Sequence, residues 1–387
     1  MIEIGNQMTE VLAAAPQTTL DHVLKVVAER RHEFGEQKFV PHDVISEFKR
    51  AGIFRAATPK VFGGDALPPS QFLRIVEQIA AVDASAGWVA SFGSSNVYLA
   101  ALPFESQTEL YAAGPDVTFA GGLFPVQKAE RVAGGWNVKG EWKFSSGCKG
   151  ADILGVGLVG TAQTNGKPLT ALLRPEDVEI VENWDVIGLN GTGSHDLRVH
   201  GKTVADEWTF VRGAESTVDE ALYRYPTVAY AAQVLAVVNL GAGRAALDYA
   251  IETGSGSSGI TGAPKLADRA YYRIEVAKAE AELRSARAFF YDISDEVYDT
   301  VETGSPASDK QKALLRLAST HVAKVGAKAV QTAYMLSGTA AIYDTNPMQR
   351  YLRDASVVTQ HAFLGDGIYD GAGAVLMDQP PAIPAFL

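Results

Sequence analysis

The chain has 387 residues, with 34 Lys and Arg against 45 Asp and Glu, and a formal net charge of −11 at pH 7. Its length suits two or three packed domains, and 47% hydrophobic with 20% charged residues reads as a folded chain, not a disordered one. The acidic balance and the lack of a Lys/Arg-rich block argue against a nucleic-acid partner, and the single cysteine, Cys148, leaves no disulfide framework or cysteine metal site.

Met1 to Pro16 carries Glu3 and Glu10 and lacks a basic region followed by a long apolar run, so it does not read as a signal peptide. A cytoplasmic protein is expected. From Leu20 to about Tyr111 the pattern is helical. Val44, Phe48 and Ala51 recur at helical spacing before Gly52, Pro59 to Ser70 is a loop, and Leu73, Val76 and Ala80 mark a second amphipathic helix. Ala84 to Leu102 is small and apolar almost all round, which predicts a helix buried on every side.

Strand signals dominate from about Asp116 to Arg212. The clearest is Trp136 to Phe144, where Trp136, Val138, Gly140, Trp142 and Phe144 alternate with polar residues, and Gly134-Gly135 reads as the preceding hairpin turn. Short turns between strands predict an antiparallel middle domain. Helices return from Ala221. Val228 to Leu247 is apolar but interrupted by Gln233, Asn239 and Arg244, so a bundle helix is expected there and no membrane span. Lys265 to Val301 carries Ile274, Ala277, Ala281 and Ala288 on one stripe, and Lys310 to Leu336 is another long helix. An antiparallel four-helix bundle follows. The expected fold class is α+β, with boundaries at 1–115, 116–212 and 213–387.

The usual nucleotide signatures are missing. There is no GxxxxGK[ST], no strand-GxGxxG-helix unit, no GxSxG elbow and no metal-ligand cluster, so no metal is expected. Five other segments occur in order across about 300 residues: Phe62-Gly63-Gly64; Ala86-Gly87-Trp88; Gly140-Glu141-Trp142-Lys143-Phe144-Ser145-Ser146-Gly147; Trp184 with Gly188-Leu189-Asn190-Gly191-Thr192-Gly193-Ser194; and Arg350-Tyr351-Leu352-Arg353-Asp354. Together they resemble the acyl-CoA dehydrogenase superfamily. The sub-patterns WxFSSG and GTGS look like its oxygenase branch, the two-component flavin monooxygenases similar to p-hydroxyphenylacetate hydroxylase and to sterol and dibenzothiophene oxygenases. The resemblance implies an N-terminal helical domain, a middle β-domain and a C-terminal bundle, with flavin between the last two and a homotetramer whose neighbour helps close the site.

The resemblance also separates two chemistries. A dehydrogenase of this superfamily carries a glutamate nine residues beyond the arginine of the RD pair, and here that position is Ala362, preceded by His361. The other usual location, Gly241 to Ala246, offers no carboxylate. An oxygenase is therefore expected: reduced flavin (FMNH2 or FADH2) and O2 give a C4a-hydroperoxyflavin that hydroxylates an aromatic or heteroaromatic molecule. A separate NAD(P)H:flavin reductase is expected as partner, because the chain has no NAD(P)H fingerprint. Remaining alternatives are an acyl-CoA dehydrogenase with a relocated base and an inactive binding or scaffold protein.

The implied catalytic residues are His361, Ser146 and Asn96. The neutral imidazole of His361 would accept a substrate proton or hydrogen-bond the peroxide, Ser146 would face flavin N5, and Asn96 would place a polar group near the peroxide. Ser145, able to exchange roles with Ser146, joins Trp142, Phe144, Thr192 and Ser194 as cofactor-binding candidates. The phosphate end is assigned to Arg269 or to the backbone of Ser337-Gly338-Thr339, because the loop from Thr253 to Pro264 contains no Arg. Phe92, Tyr98 and Phe124, with Asn96 and His361, would line a dry aromatic substrate cavity. His195, His200 and His321 read as structural or solvent residues, with His321 in the core.

Overall fold

The computed structural model describes residues 18–256, 264–382 and 386. The reading of Met1 to Pro16 and most of the Thr253 to Pro264 loop lie outside the described residues. The N-terminal part is helical. Thr19 caps α1 (Leu20–Gln37) by accepting the His22 N–H, and α2 (His42–Arg50) buries Val44 and Phe48 as their spacing predicts. α3 (Pro69–Val82) begins on a proline, where the missing N–H has no helical partner to lose.

Residues 84–102 are buried along most of their length, but they do not form one helix. They divide into α4 (Ala84–Ala90), a 3-10 stretch at Ser91–Ser95 and α5 (Asn96–Leu99). Serines cause the break. Ser91 Oγ donates to the Trp88 carbonyl at 2.6 Å and Ser94 Oγ to the Ser91 carbonyl at 2.8 Å, and such bonds compete with the helical ladder. α6 (Phe104–Leu110) completes this layer.

The middle region contains β1 (Phe119–Gln127), β2 (Glu130–Val132), β3 (Gly135–Ser145), β4 (Ile153–Leu158), β5 (Leu169–Leu173), β6 (Glu179–Val181), β7 (His195–Ala205) and β8 (Thr209–Val211), in the order β6-β7-β3-β1-β4-β5-β8 with β2 beside β3. The sheet is mixed, whereas short turns predicted a purely antiparallel one. β1 and β4 run parallel from Phe119↔Ile153 to Gly122↔Val156. β3 and β4 form a hairpin split by β1, and a strand inserted between antiparallel partners must run parallel to one of them. The Thr118 N–H donates to Asp152 Oδ2 at 2.7 Å and fixes the start of that pairing.

The C-terminal region comprises α7 (Ala221–Arg224), α8 (Thr227–Gly254), α9 (Ala270–Glu302), α10 (Asp309–Leu336), α11 (Pro347–Val358) and α12 (Gly367–Leu376). Three of these helices are long and three short, in place of four long ones. α8 is packed between α3 and α10, and its most apolar window is 72% buried. Asn239 of α8 donates to the carbonyls of Ala323 and Ala355, tying α8, α10 and α11 together. The buried stripe of α9 is Tyr272, Ala279, Leu283, Ala286 and Phe290, while Ile274, Ala277, Ala281 and Ala288 face outward. Alanines occur all round this helix, so its aromatic residues and Leu283 decide which face is buried.

Candidate active site

The site is built where β3 ends. Trp142 points into the β-domain core at 0% exposure and donates Nε1 to the Gly157 carbonyl at 2.7 Å. Strict alternation would bury Phe144 as well. Instead Phe144 adopts φ +61°, the register against β7 shifts between Trp142 and Ser145, and the Phe144 ring stands 67% exposed. A non-glycine residue in this left-handed region costs about 1–2 kcal/mol, and the bulge re-aims the side chains that follow. Phe144 meets Trp184 edge to face at 6.4 Å, and Ser145 turns inward.

The loop Gly188–Ser194 is zipped to this strand end. The Gly147 N–H donates to the Thr192 carbonyl at 2.8 Å, and Ser146 Oγ lies 2.6 Å from Ser194 Oγ. Ser194 Oγ is 2.8 Å from Thr192 Oγ1, which donates to the Leu189 carbonyl at 2.8 Å, and Trp88 Nε1 donates to Ser146 Oγ at 3.1 Å. Proton counting gives this chain a direction. Thr192 spends its one hydroxyl proton on a carbonyl, so it accepts from Ser194, and Ser194 accepts from Ser146. Ser146 therefore donates once, accepts once from Trp88, and keeps one lone pair unused.

α11 holds the loop from the other side. Asp354 Oδ1 accepts the Leu189 N–H at 2.7 Å. Leu189 has φ +53°, and a Cβ on Gly188 would come within 2.5 Å of the Arg353 backbone, so this close approach requires glycine. Arg350, one turn before Asp354, lies 4.0 Å from Asp83, which caps α4 through the Ala86 N–H at 2.9 Å. Burial, with the Asp83 charge adding, pushes the Asp354 carboxyl up to about 7. Asp83 and Asp354 are both buried and bonded to backbone N–H groups, so neither stands as a free base at the surface of the site.

His361 caps the turn after α11. Its Nδ1 accepts the Phe363 N–H at 3.2 Å, and its ring meets Trp88 edge to face at 5.9 Å and Phe363 at 5.1 Å. Loss of hydration, with a smaller contribution from the Arg212 charge, lowers the imidazole to about 4. It is neutral at pH 7. With Nδ1 accepting a backbone proton, the ring proton resides on Nε2. Trp88 thus joins Ser146 and His361.

Other candidates are placed differently. Asn96 is enclosed at 0% exposure and donates Nδ2 to the Phe54 carbonyl, Thr58 Oγ1 and the Val117 carbonyl, which makes it a tie within the N-terminal layer with no surface to offer a substrate. Ser145 is equally enclosed and its hydroxyl has no partner among the described residues, so Ser146, at 7% exposure, is the serine with accessible surface. Trp142 belongs to the core, which withdraws it from the ring-lining role. Phe92 and Tyr98 are half-buried against the main core, whereas Phe124 stands 64% exposed on β1. Gly338 and Thr339 lie in an exposed turn after α10, with no hydrogen bond to the Ser146 chain. Arg269 is bound to the Pro264 carbonyl at 3.1 Å. His195 is buried and accepts the Trp184 N–H, His200 pairs with Glu179 at the surface, and His321 is only half-buried beside a surface hollow, not in the core. A cavity of about 600 Å³ lined by Lys49, Asp152, Lys202 and Trp208 contains none of the candidate residues.

Sequence alone overlooked Trp88, Asp354 and Arg350 as site builders, although the segments Ala86-Gly87-Trp88 and Arg350 to Asp354 carried the signal. A flavin fits these residues on two observations: the unused lone pair on Ser146, and the exposed ring of Phe144 set perpendicular to the half-buried Trp184.

Residues 9–111 match the family description "Acyl-CoA dehydrogenase, N-terminal domain" and residues 233–365 match "Acyl-CoA dehydrogenase, C-terminal domain". The chain is 48% identical to an indole-3-acetate monooxygenase of Pseudomonas putida, over 97% of this chain and 99% of that protein. It is 26% identical to the flavin-dependent monooxygenase oxygenase subunit HsaA of Rhodococcus jostii (strain RHA1), over 89% and 93% of the two chains. The crystal structure of 3-HSA hydroxylase from Rhodococcus sp. RHA1 superposes with a TM-score of 0.88 at 23% identity, covering 95% of this chain and 98% of that one. The chain therefore belongs to the aromatic-hydroxylating, reduced-flavin-dependent monooxygenases built on the acyl-CoA dehydrogenase fold, as an oxygenase component.

Proposed function

We propose that this chain takes FMNH2 or FADH2 from a separate NAD(P)H:flavin reductase in the cytoplasm and hydroxylates an indole-like aromatic molecule. The observation carrying this reading is the directed hydroxyl chain ending at Ser146 beside a neutral imidazole, with Trp88 touching both. The 48% identity to an indole-3-acetate monooxygenase supports the choice of an indole, and the subunit name of the second relative supports a separate reductase. Reduced flavin supplies the two electrons that activate O2, one oxygen atom entering the substrate and the other leaving as water.

The protein's part is to hold protons still. The spare lone pair of Ser146 would accept the N5–H of the reduced ring and retard loss of that proton. His361 acts as a donor through Nε2–H, because its Nδ1 is committed to the Phe363 N–H and its low pKa keeps it from taking up a proton near neutrality. This favours hydrogen bonding to oxygen over removal of a substrate proton. Phe144 and Trp184 would cover the ring, Thr192 and Ser194 would keep Ser146 oriented, and Phe92 and Tyr98 would line the substrate side. The turn at Gly338 and Thr339, flanked by exposed Met335, Ile342 and Tyr343, would serve the flavin phosphate of a neighbouring copy in a homotetramer. The functional boundaries fall at 115/116 and 212/213.

Rapid mixing of the protein and reduced flavin with O2 and indole-3-acetate tests the reading, with FMNH2 and FADH2 compared in parallel. A transient absorbance distinct from both reduced and oxidised flavin, followed by product containing one atom from 18O2, is expected. Immediate stoichiometric hydrogen peroxide with no oxygenated product would refute it, as would anaerobic bleaching of bound flavin by an acyl-CoA.

A further inference from the structure

Arg212 follows β8 at the junction of the sheet and the helices, and its guanidinium is conspicuously underused. Nη2 donates to Tyr98 Oη at 3.1 Å, and the guanidinium carbon lies 4.4 Å over the Tyr98 ring. Among the described residues no carboxylate lies within ion-pair distance of it, whereas Arg30, Arg131, Arg198, Arg244 and Arg287 all have acidic partners. The group is half-buried, and its two unbonded nitrogens, Nε and Nη1, are not closed off from solvent. A guanidinium carries five N–H donors, so most remain available.

Its position ties it to the proposed site. Tyr98 Oη also reaches the Thr227 carbonyl at the start of α8, at 3.5 Å. α8 is the helix against which both the 3-10 stretch at Ser91–Ser95, carrying Phe92, and the turn after His361 are packed. The Arg212 charge is also felt at the His361 imidazole. A half-buried cation held by an aromatic face, with its fork of donors unspent, is built for a planar oxyanion, which guanidinium binds through two parallel N–H···O bonds.

We infer that Arg212, braced by Tyr98, is the anchor for a carboxylate on the aromatic substrate, and that the substrate class of this site is an aryl- or indolyl-alkanoic acid. The inference rests on the proposed aromatic hydroxylation for the identity of the ring, but not for its test. Tyr98 fixes the plane of the fork through the ring contact and the hydroxyl bond. Arg212 then sets which end of the substrate faces away from the oxygen-transferring edge.

Equilibrium binding of indole-3-acetate and of indole to the flavin-loaded full-length protein tests it, comparing wild type with R212Q and R212K by calorimetry. The affinity ratio of acid over indole should fall by roughly 10- to 100-fold in R212Q, the range for a lost charge-assisted hydrogen bond, with R212K intermediate because it keeps charge without the fork. An unchanged ratio in R212Q overturns the anchor, and so does a loss confined to flavin affinity. The reading is independent of turnover. A protein that shows the predicted ratio yet yields no oxygenated product keeps the anchor and loses the proposed reaction, and the reverse result separates them in the other direction.

Discussion

Two sides of the site differ in how completely their polar groups are used. On the β3 side, Ser146, Ser194, Thr192, Leu189 and Asp354 form one chain in which each hydroxyl proton has a single available destination. On the other side, His361 and Arg212 each make one hydrogen bond through the side chain and leave the remainder of their capacity open. On the first side every hydroxyl proton is committed before any ligand arrives and only one Ser146 lone pair is left over, so its geometry is preorganised. The second side, in the proposed reading, is completed by what it binds. Under the proposed reaction, a site that must protect one proton and also accept a substrate has reason to be rigid toward the flavin and unsaturated toward the substrate.

The sharpest way to break this comparison is at His361. His361→Ala should reduce oxygenated product per flavin oxidised by about 100-fold, the scale for removing one aimed donor, while His361→Gln, which retains an N–H, should recover part of it. Equal losses in the two variants would remove the donor role. Next in size, Asp354→Ala should lower stability by about 1–3 kcal/mol, since the buried Leu189 N–H loses its acceptor. Asp354→Asn should cost less, because an amide oxygen can still accept, and urea unfolding measures both. Ser146→Ala should shift the balance from product to hydrogen peroxide by about 5- to 10-fold, corresponding to roughly 1 kcal/mol for a neutral hydrogen bond, without a comparable loss of stability.

In pH dependence the two sides carry opposite signs. His361 titrates lower in the fold, at about 4, than its ordinary 6.5, so its contribution to stability is full above that ordinary value and is lost as pH falls through 4. Asp354 titrates higher, at about 7 against 3.8. Its contribution is full below 3.8 and is lost as pH rises through 7. Wild type minus Asp354→Asn should therefore lose relative stability between about pH 4 and 7, in unfolding measured across that range. In R212Q the His361 resonance should titrate above its wild-type value, because a cation that depresses it is gone. A His361 titration unmoved by R212Q would place Arg212 away from that ring.

Much of this molecule was legible in its residues. The alternation from Trp136 to Trp142, the amphipathic spacing of Val44 and Phe48 and the apolar run of α8 each reflect a local rule, because a side chain's face follows from its place in a strand or helix. The replacement of a carboxylate by His361-Ala362 was equally a matter of residue identity. What residues in line could not decide was where alternation fails and which polar atoms meet. The left-handed turn at Phe144 reverses the expected faces of Phe144 and Ser145, and local propensity disfavours it; contacts from β7 and the Gly188–Ser194 loop impose it. Asn96, Trp142 and Ser145 carry suitable atoms, but tertiary packing closes around them, while Trp88, Asp354 and Arg212 gain their meaning from partners 58, 165 and 114 residues away in the chain. Secondary structure is written in short-range sterics and periodicity; a hydrogen-bond chain across four segments exists only once burial has brought them together.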